Sequence, residues 1–142
     1  MKIFIILSLV AMIAGCSSTP TPIGNSKPIS SDRIHNIEPL KNKQEFATLK
    51  ILRDTASDDL FLDIEIWIDG KLSAVLKSKE IHTLKINPQE HIIEARINVT
   101  LGQIAPAQVE TIFRQNRTYF YRVGYNHTAR SVKLLRDVNL SK

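Results

Sequence analysis

The sequence predicts an all-β domain, an antiparallel β-sandwich of about seven or eight strands. Apolar and polar residues alternate with a period of two in most segments after residue 45, which is the pattern of strands with one buried face. Turn residues separate these segments at intervals of about 8 to 12 residues, the spacing typical of sandwiches and barrels. No segment after the N-terminal apolar run shows a helical period.

The composition matches one ordinary globular domain, because 43% of the 142 residues are apolar and 23% are charged. The formal charge of +5 falls to +4 if Lys2 is removed with a signal segment. Basic residues are scattered along the chain, which argues against a nucleic-acid partner. We interpret the basic surface as a solvated one, and attraction to an anionic membrane or wall polymer is the alternative.

Residues 1–15 are predicted to be an export signal peptide. Lys2 supplies the positive charge, and residues 3–14 are apolar and uncharged. A helix of that length covers about 18 Å of a bilayer core about 30 Å thick, so it is too short to span a membrane. The segment ends in the sequence IAGC at residues 13–16, which resembles the bacterial lipobox.

The lipobox resemblance implies cleavage between Gly15 and Cys16. Cys16 would then be the mature first residue and carry diacylglycerol and an N-acyl chain such as palmitate. It is the only cysteine of the chain, and a lone cysteine in an exported protein otherwise suggests an intermolecular disulfide or a reactive thiol. Two or three acyl chains, at about 0.8 kcal/mol per buried methylene, form a permanent membrane anchor. The alternative is an ordinary signal-peptidase site with an incidental cysteine.

The residue after Cys16 bears on the location. An Asp there commonly signals retention in the inner membrane, whereas Ser17 resembles the sorting class of the outer membrane. We therefore expect a protein of the bacterial cell envelope, anchored by lipid to the outer membrane on its periplasmic side.

Residues 16–44 are predicted to be a lipidated, flexible tether. Residues 17–33 are rich in Ser, Thr, Pro, Asn and Gly and show no apolar period. A random coil of about 25 residues would place the domain about 25 to 30 Å from the lipid surface.

Residues 45–142 are predicted to form the sandwich. In residues 61–69, four aliphatic residues that include Ile64 and Ile66 alternate with charged residues and Trp67. Asp69-Gly70 predicts a type I′ hairpin turn, because Gly70 accepts a positive φ. The other strands are predicted at 46–53, 72–76, 80–86, 91–100, 107–114, 118–125 and 131–138.

Residues 64–99 are similar to PEGA-like carbohydrate-surface modules and to a prealbumin-like bacterial lipoprotein family of unknown function. The shared order is a hydrophobic strand, an Asp-Gly turn, a short strand, and a Pro-containing turn followed by His and another apolar strand. Residues 116–123 resemble the later aromatic strand of the lipoprotein family. The resemblance implies a transthyretin-like or immunoglobulin-like sandwich.

No catalytic or metal site is predicted. The histidines lack His-x-His and His-Glu-x-x-His spacing, and His91 is interpreted as a turn or surface residue. The acidic residues from Asp54 to Asp63 lack the glycine and terminal glutamate of an EF-hand loop, so we interpret them as a solvated connection. We expect no enzyme and no cofactor other than the lipid on Cys16.

Four aromatic residues are candidate binding residues: Trp67, Tyr119, Tyr121 and Tyr125. Exposed, they would form a platform for a glycan or peptide. The alternative is that the tyrosines fill the core and Trp67 covers the outer sheet or the tether. An unpaired sheet edge, which could accept a partner strand, is a second candidate surface.

The expected function is that of a non-enzymatic, membrane-anchored envelope lipoprotein. Its sandwich would act as a binding or structural module for a periplasmic protein or a cell-wall glycan such as peptidoglycan. The alternatives are an accessory lipoprotein subunit of a secretion or conjugation machine and a plasmid or phage exclusion factor. The first alternative is suggested by the outer-membrane lipoprotein of type VI secretion, which also has a lipidated transthyretin-like sandwich.

Overall fold

The computed structural model describes residues 20–55, 62–99, 104–126 and 128–141. Gly15 and Cys16 lie outside the described residues. Within these ranges the chain is all-β, and its nine strands form two sheets, an arrangement compatible with the predicted sandwich. The described chain contains no helix long and apolar enough to cross a lipid bilayer.

The strands are β1 (Lys27–Pro28), β2 (Ala47–Arg53), β3 (Ile64–Ile68), β4 (Lys71–Leu76), β5 (Glu80–Ile86), β6 (Glu90–Ile97), β7 (Ala107–Ile112), β8 (Thr118–Asn126) and β9 (Ser131–Arg136). Two single 3-10 turns, Ile23–Asn25 and Ser31–Arg33, precede β2. Every strand predicted after residue 45 is present, with ends that differ by a few residues. Only β1 was not predicted.

The order of strands is β1-β5-β2-β8-β9 in one sheet and β4-β3-β6-β7 in the other. The expectation of a purely antiparallel architecture is wrong, because β2 runs parallel to β8 and β1 runs parallel to β5. Alternation fixes which face of a strand is buried, but it does not specify the neighbouring strand. Between β2 and β8 the chain contributes β3 and β4 to the other sheet, β5 to this sheet, and β6 and β7 to the other sheet again.

The buried faces of both sheets contribute to one core. Leu49 and Ile51 from β2 and Ile64 and Ile66 from β3 are all fully buried in it. Complete burial of one such side chain contributes about 1.5 to 3 kcal/mol. The even-numbered face of β3 is therefore buried, as the alternation predicts.

The turn between β3 and β4 has the predicted type I′ conformation. Asp69 has φ of 49° and Gly70 has φ of 75°, and this turn type needs positive φ at both positions. The backbone N–H of Ile92 donates to Asp69 Oδ1 at 2.9 Å. The turn is thus tied to β6 as well as to its own hairpin.

The predicted tether, residues 16–44, lies against the sheets in much of its described part, where flexibility was expected. Thr21 is buried, and β1 pairs with β5, with Lys27 opposite Glu80. The Arg33 guanidinium binds both carboxylate oxygens of Glu80 at 2.5 and 2.6 Å. This segment is held by backbone hydrogen bonds and isolated ion pairs. Such contacts do not require a periodic pattern of apolar residues, so the sequence showed no sign of them.

Candidate functional site

The segment around Thr21 docks at the end of β2. The backbone N–H of Thr21 donates to Asp54 Oδ1 at 2.9 Å, and the hydroxyls of Thr21 and Thr55 share a hydrogen bond of 2.9 Å. Arg122 Nη1 donates to the Thr21 carbonyl at 3.0 Å and to Asp54 Oδ1 at 2.8 Å. Asp54 is therefore a buried partner of a cation, and its interpretation as part of a solvated connection is wrong.

The docking of Thr21 limits how far the folded domain could lie from a lipid on Cys16. Five Cα–Cα steps separate the two residues, and an extended chain of that length reaches at most about 17 Å. The expected distance of about 25 to 30 Å assumed a coil that continues to residue 44. If Cys16 carries a lipid, the domain would therefore lie closer to it than the coil estimate predicts.

Trp67 lies half-buried on the outer face of the four-stranded sheet. Its Nε1–H donates to Glu65 Oε2 at 3.0 Å. The Arg96 guanidinium lies 4.4 Å from the centroid of the indole ring, which is the geometry of a cation–π contact. Glu94 accepts two hydrogen bonds from Arg96, at 2.6 and 2.7 Å. Cross-strand register explains this cluster, since Glu65 pairs with Arg96 and Trp67 pairs with Glu94.

The charges of this cluster stabilise one another. The hydrogen bonds from Arg96 lower the pKa of the Glu94 carboxyl, and the same contacts raise the pKa of Arg96. Both groups therefore stay ionised near neutral pH. Ile92 and Ile112 are exposed on the same face, on the neighbouring strands β6 and β7. Together with Trp67 they give this face aromatic and aliphatic groups among fixed charges.

The tyrosines lie elsewhere, on β8 of the five-stranded sheet. Tyr119, Tyr121 and Tyr125 are 5%, 1% and 6% exposed and belong to the core. The Tyr121 hydroxyl shares a hydrogen bond of 2.6 Å with Thr111 Oγ1. The structure thus does not bring the tyrosines together with Trp67 into one platform, and it matches the alternative in which they fill the core.

His91 is buried, so its interpretation as a turn or surface residue is wrong. Its Nδ1 lies 2.5 Å from Asp69 Oδ2, and its Nε2 lies 3.0 Å from the Asn87 carbonyl oxygen. Both ring nitrogens thus face an oxygen of a neighbouring residue. Glu38, Asp69 and His91 bring ligand atoms within 4.8 Å of one another, but both His91 nitrogens are already engaged.

His82 on β5 is a second buried histidine that the sequence analysis did not single out. It is 1% exposed, and neither ring nitrogen has a hydrogen-bond partner among the described residues. Burial lowers the pKa of His82 from 6.5 to about 4. The sequence could have predicted this burial, because Leu84 and Ile86 follow His82 at a spacing of two and lie on the same buried face of β5.

A cleft with three arginines, Arg114, Arg117 and Arg136, was also missed. The first two flank one turn, but the third comes from β9. Only the pairing of β8 with β9 brings all three together, and alternation does not specify that pairing.

No protein-family model matches the chain, and no curated protein matches it. The similarity of residues 64–99 to PEGA-like modules stays a prediction from the sequence.

Proposed function

We propose that the chain is a non-enzymatic bacterial envelope lipoprotein, anchored through lipid on Cys16 to the periplasmic side of the outer membrane. The observation that carries the proposal is the IAGC sequence at residues 13–16, which follows an uncharged apolar run. Because Thr21 docks five residues later, a lipid on Cys16 would hold the folded domain near the bilayer. The two sheets would form a transthyretin-like or immunoglobulin-like sandwich.

We place the binding surface on the outer face of the four-stranded sheet. Trp67 carries the Arg96 guanidinium at 4.4 Å, and Ile112, two strands away on the same face, is 66% exposed. Aromatic and Arg side chains are enriched where proteins bind partners, because they combine large contact area with directional polar groups. The proposed partner is a periplasmic protein or a cell-wall glycan.

Metabolic labelling with palmitate tests the anchor. We expect the wild-type chain and the Ser17→Ala control to take up label. The Cys16→Ser variant should remain unlabelled and keep its signal segment, because the sulfur that accepts the lipid is gone. Normal labelling of Cys16→Ser would contradict the proposal.

Crosslinking in intact cells followed by mass spectrometry tests the binding face. The partner molecules that crosslink to the wild-type chain should no longer crosslink to Trp67→Ala. Lys133→Ala is the matched control, because Lys133 is exposed on the other sheet and its loss should leave them unchanged. A crosslinked species that survives undiminished in Trp67→Ala would exclude this face as its contact surface.

A further inference from the structure

A cleft of about 390 Å³ opens beside the turn that joins β7 to β8. Three arginines, Arg114, Arg117 and Arg136, line it together with Tyr119 and Thr118. Ile112 lines one side of the cleft and also belongs to the Trp67 face, so the cleft adjoins the edge of that face, and its three arginines are not part of the binding surface proposed above.

Local structure fixes where these arginines stand. The N–H of Arg117 donates to the Arg114 carbonyl at 3.3 Å, and Asn116 between them has φ of 58°. A tight turn therefore carries one arginine at each end. The Tyr119 hydroxyl accepts the N–H of Arg114 at 2.9 Å and donates to the Ile112 carbonyl at 3.1 Å.

The third arginine reaches the same place from β9. The Arg136 guanidinium lies 4.7 Å from the centroid of the Tyr119 ring. Tyr119 thus holds the backbone of one cleft arginine with its hydroxyl and the side chain of another with its ring. Because Tyr119 is itself buried, these two contacts give the cleft a fixed wall.

The positive charge of the cleft is not neutralised within the described chain. None of its three arginines has a carboxylate within 4.0 Å in the described ranges, whereas Arg33 and Arg96 each form ion pairs. Among the residues that the structure describes, no acidic residue lines the cleft.

We propose that this cleft binds the phosphate group of a soluble phosphate ester. Guanidinium groups bind phosphate through paired N–H donors. A phosphate monoester carries a charge of about −1.5 to −2 near pH 7, so it matches a cleft lined by three arginines better than the single negative charge of a carboxylate does. The cleft volume falls in the range of small-molecule sites, so it has room for an organic group beside the phosphate.

The position of the cleft favours a soluble ester over a lipid headgroup, and this step rests on the proposed anchor at Cys16. Thr21 docks beyond the end of β2 at Arg53, whereas the cleft lies at the opposite end, where Thr48 pairs with Thr118. The length of β2 separates the two ends by about 20 Å. That distance exceeds the Debye length of about 8 Å at physiological ionic strength, so the charge of headgroups near the Thr21 end would be largely screened at the cleft.

Calorimetric titration of the purified full chain in a neutral detergent tests the site, with glycerol 3-phosphate as the probe and glycerol as the uncharged reference. We expect saturable binding of glycerol 3-phosphate alone. Arg117→Gln should weaken it about tenfold or more, because a hydrogen-bonded charge is lost. Arg130→Gln, the matched control, removes the same charge from an exposed turn at the other end of β9 and should leave the affinity unchanged. Thermal unfolding of each variant confirms that it is folded.

Three results of this titration would overturn the proposal: no saturable binding, equal binding of glycerol, or equal weakening by Arg130→Gln. Reconstitution of the anchored chain into vesicles then tests the source of the ester. We expect the same affinity for glycerol 3-phosphate in phosphatidylcholine vesicles with and without phosphatidylglycerol. Competition by phosphatidylglycerol that disappears in Arg117→Gln would assign the cleft to a headgroup and contradict the soluble ester. Failure of palmitate labelling would remove the anchor and leave the titration result standing.

Discussion

Replacement of His82 by leucine should abolish a large part of the pH dependence of folding stability. The imidazole of His82 is buried without a hydrogen-bond partner among the described residues, and burial lowers its pKa from 6.5 to about 4. The folded state therefore keeps the ring neutral at pH values where the unfolded chain binds a proton. Stability is fully present above the unfolded pKa and falls as the pH drops from 6.5 toward 4.

The size of the effect follows from the two pKa values. Each pH unit within that window changes the free energy of unfolding by about 1.4 kcal/mol per proton. Relative to pH 8, the contribution of His82 is a loss of about 2 kcal/mol at pH 5 and about 3 kcal/mol at pH 4. In a domain with a total stability of about 5 to 15 kcal/mol, such a loss is readily measured.

Urea unfolding of the wild-type chain and of His82→Leu between pH 8 and about pH 4.5 measures this difference. We expect the stability of His82→Leu relative to wild type to rise as the pH falls, because leucine takes up no proton in the unfolded state. His35→Gln is the matched control, since His35 is exposed, and it should keep the wild-type profile. Parallel profiles for wild type and His82→Leu would refute the assignment of a neutral, buried imidazole.

Three further substitutions test the packing. Ile66→Asp should abolish cooperative thermal unfolding, because it places a carboxylate at a fully buried position, and an unchanged melting temperature would contradict the core. Trp67→Ala should lower stability by only about 1 kcal/mol, the scale of one cation–π contact at a partly exposed site; a loss as large as that of Ile66→Asp would place Trp67 in the core. Arg122→Ala should release the segment at Thr21 and speed its cleavage by proteinase K, a protease of broad specificity, and wild-type resistance would show that the carbonyl contact at Thr21 is dispensable.

Alternation in the sequence was sufficient to predict which faces of the strands are buried. It placed Ile64 and Ile66 in the core and Trp67 on the outer face, and the structure confirms all three positions. The same rule puts His91 in the buried row of Ile93 and Ala95. The error at His91 arose from giving its neighbouring turn more weight than this period.

Strand pairing and the docked N-terminal segment were not predictable in this way. The parallel pairing of β2 with β8 and the convergence of Arg136 on the β7–β8 turn depend on which strands are neighbours. The segment from Thr21 to β1 is held by backbone hydrogen bonds and ion pairs, and these leave no periodic apolar signal. Composition alone therefore predicted a coil where the chain is bound to the sheets.

Intact-mass analysis of the protein recovered from the cell-envelope fraction tests the membrane anchor most directly. The mature chain is predicted to begin at Cys16 and to carry the mass of a diacylglyceryl group and one N-linked acyl chain. Recovery of the mature chain from the soluble fraction with an unmodified Cys16 thiol would contradict the anchor.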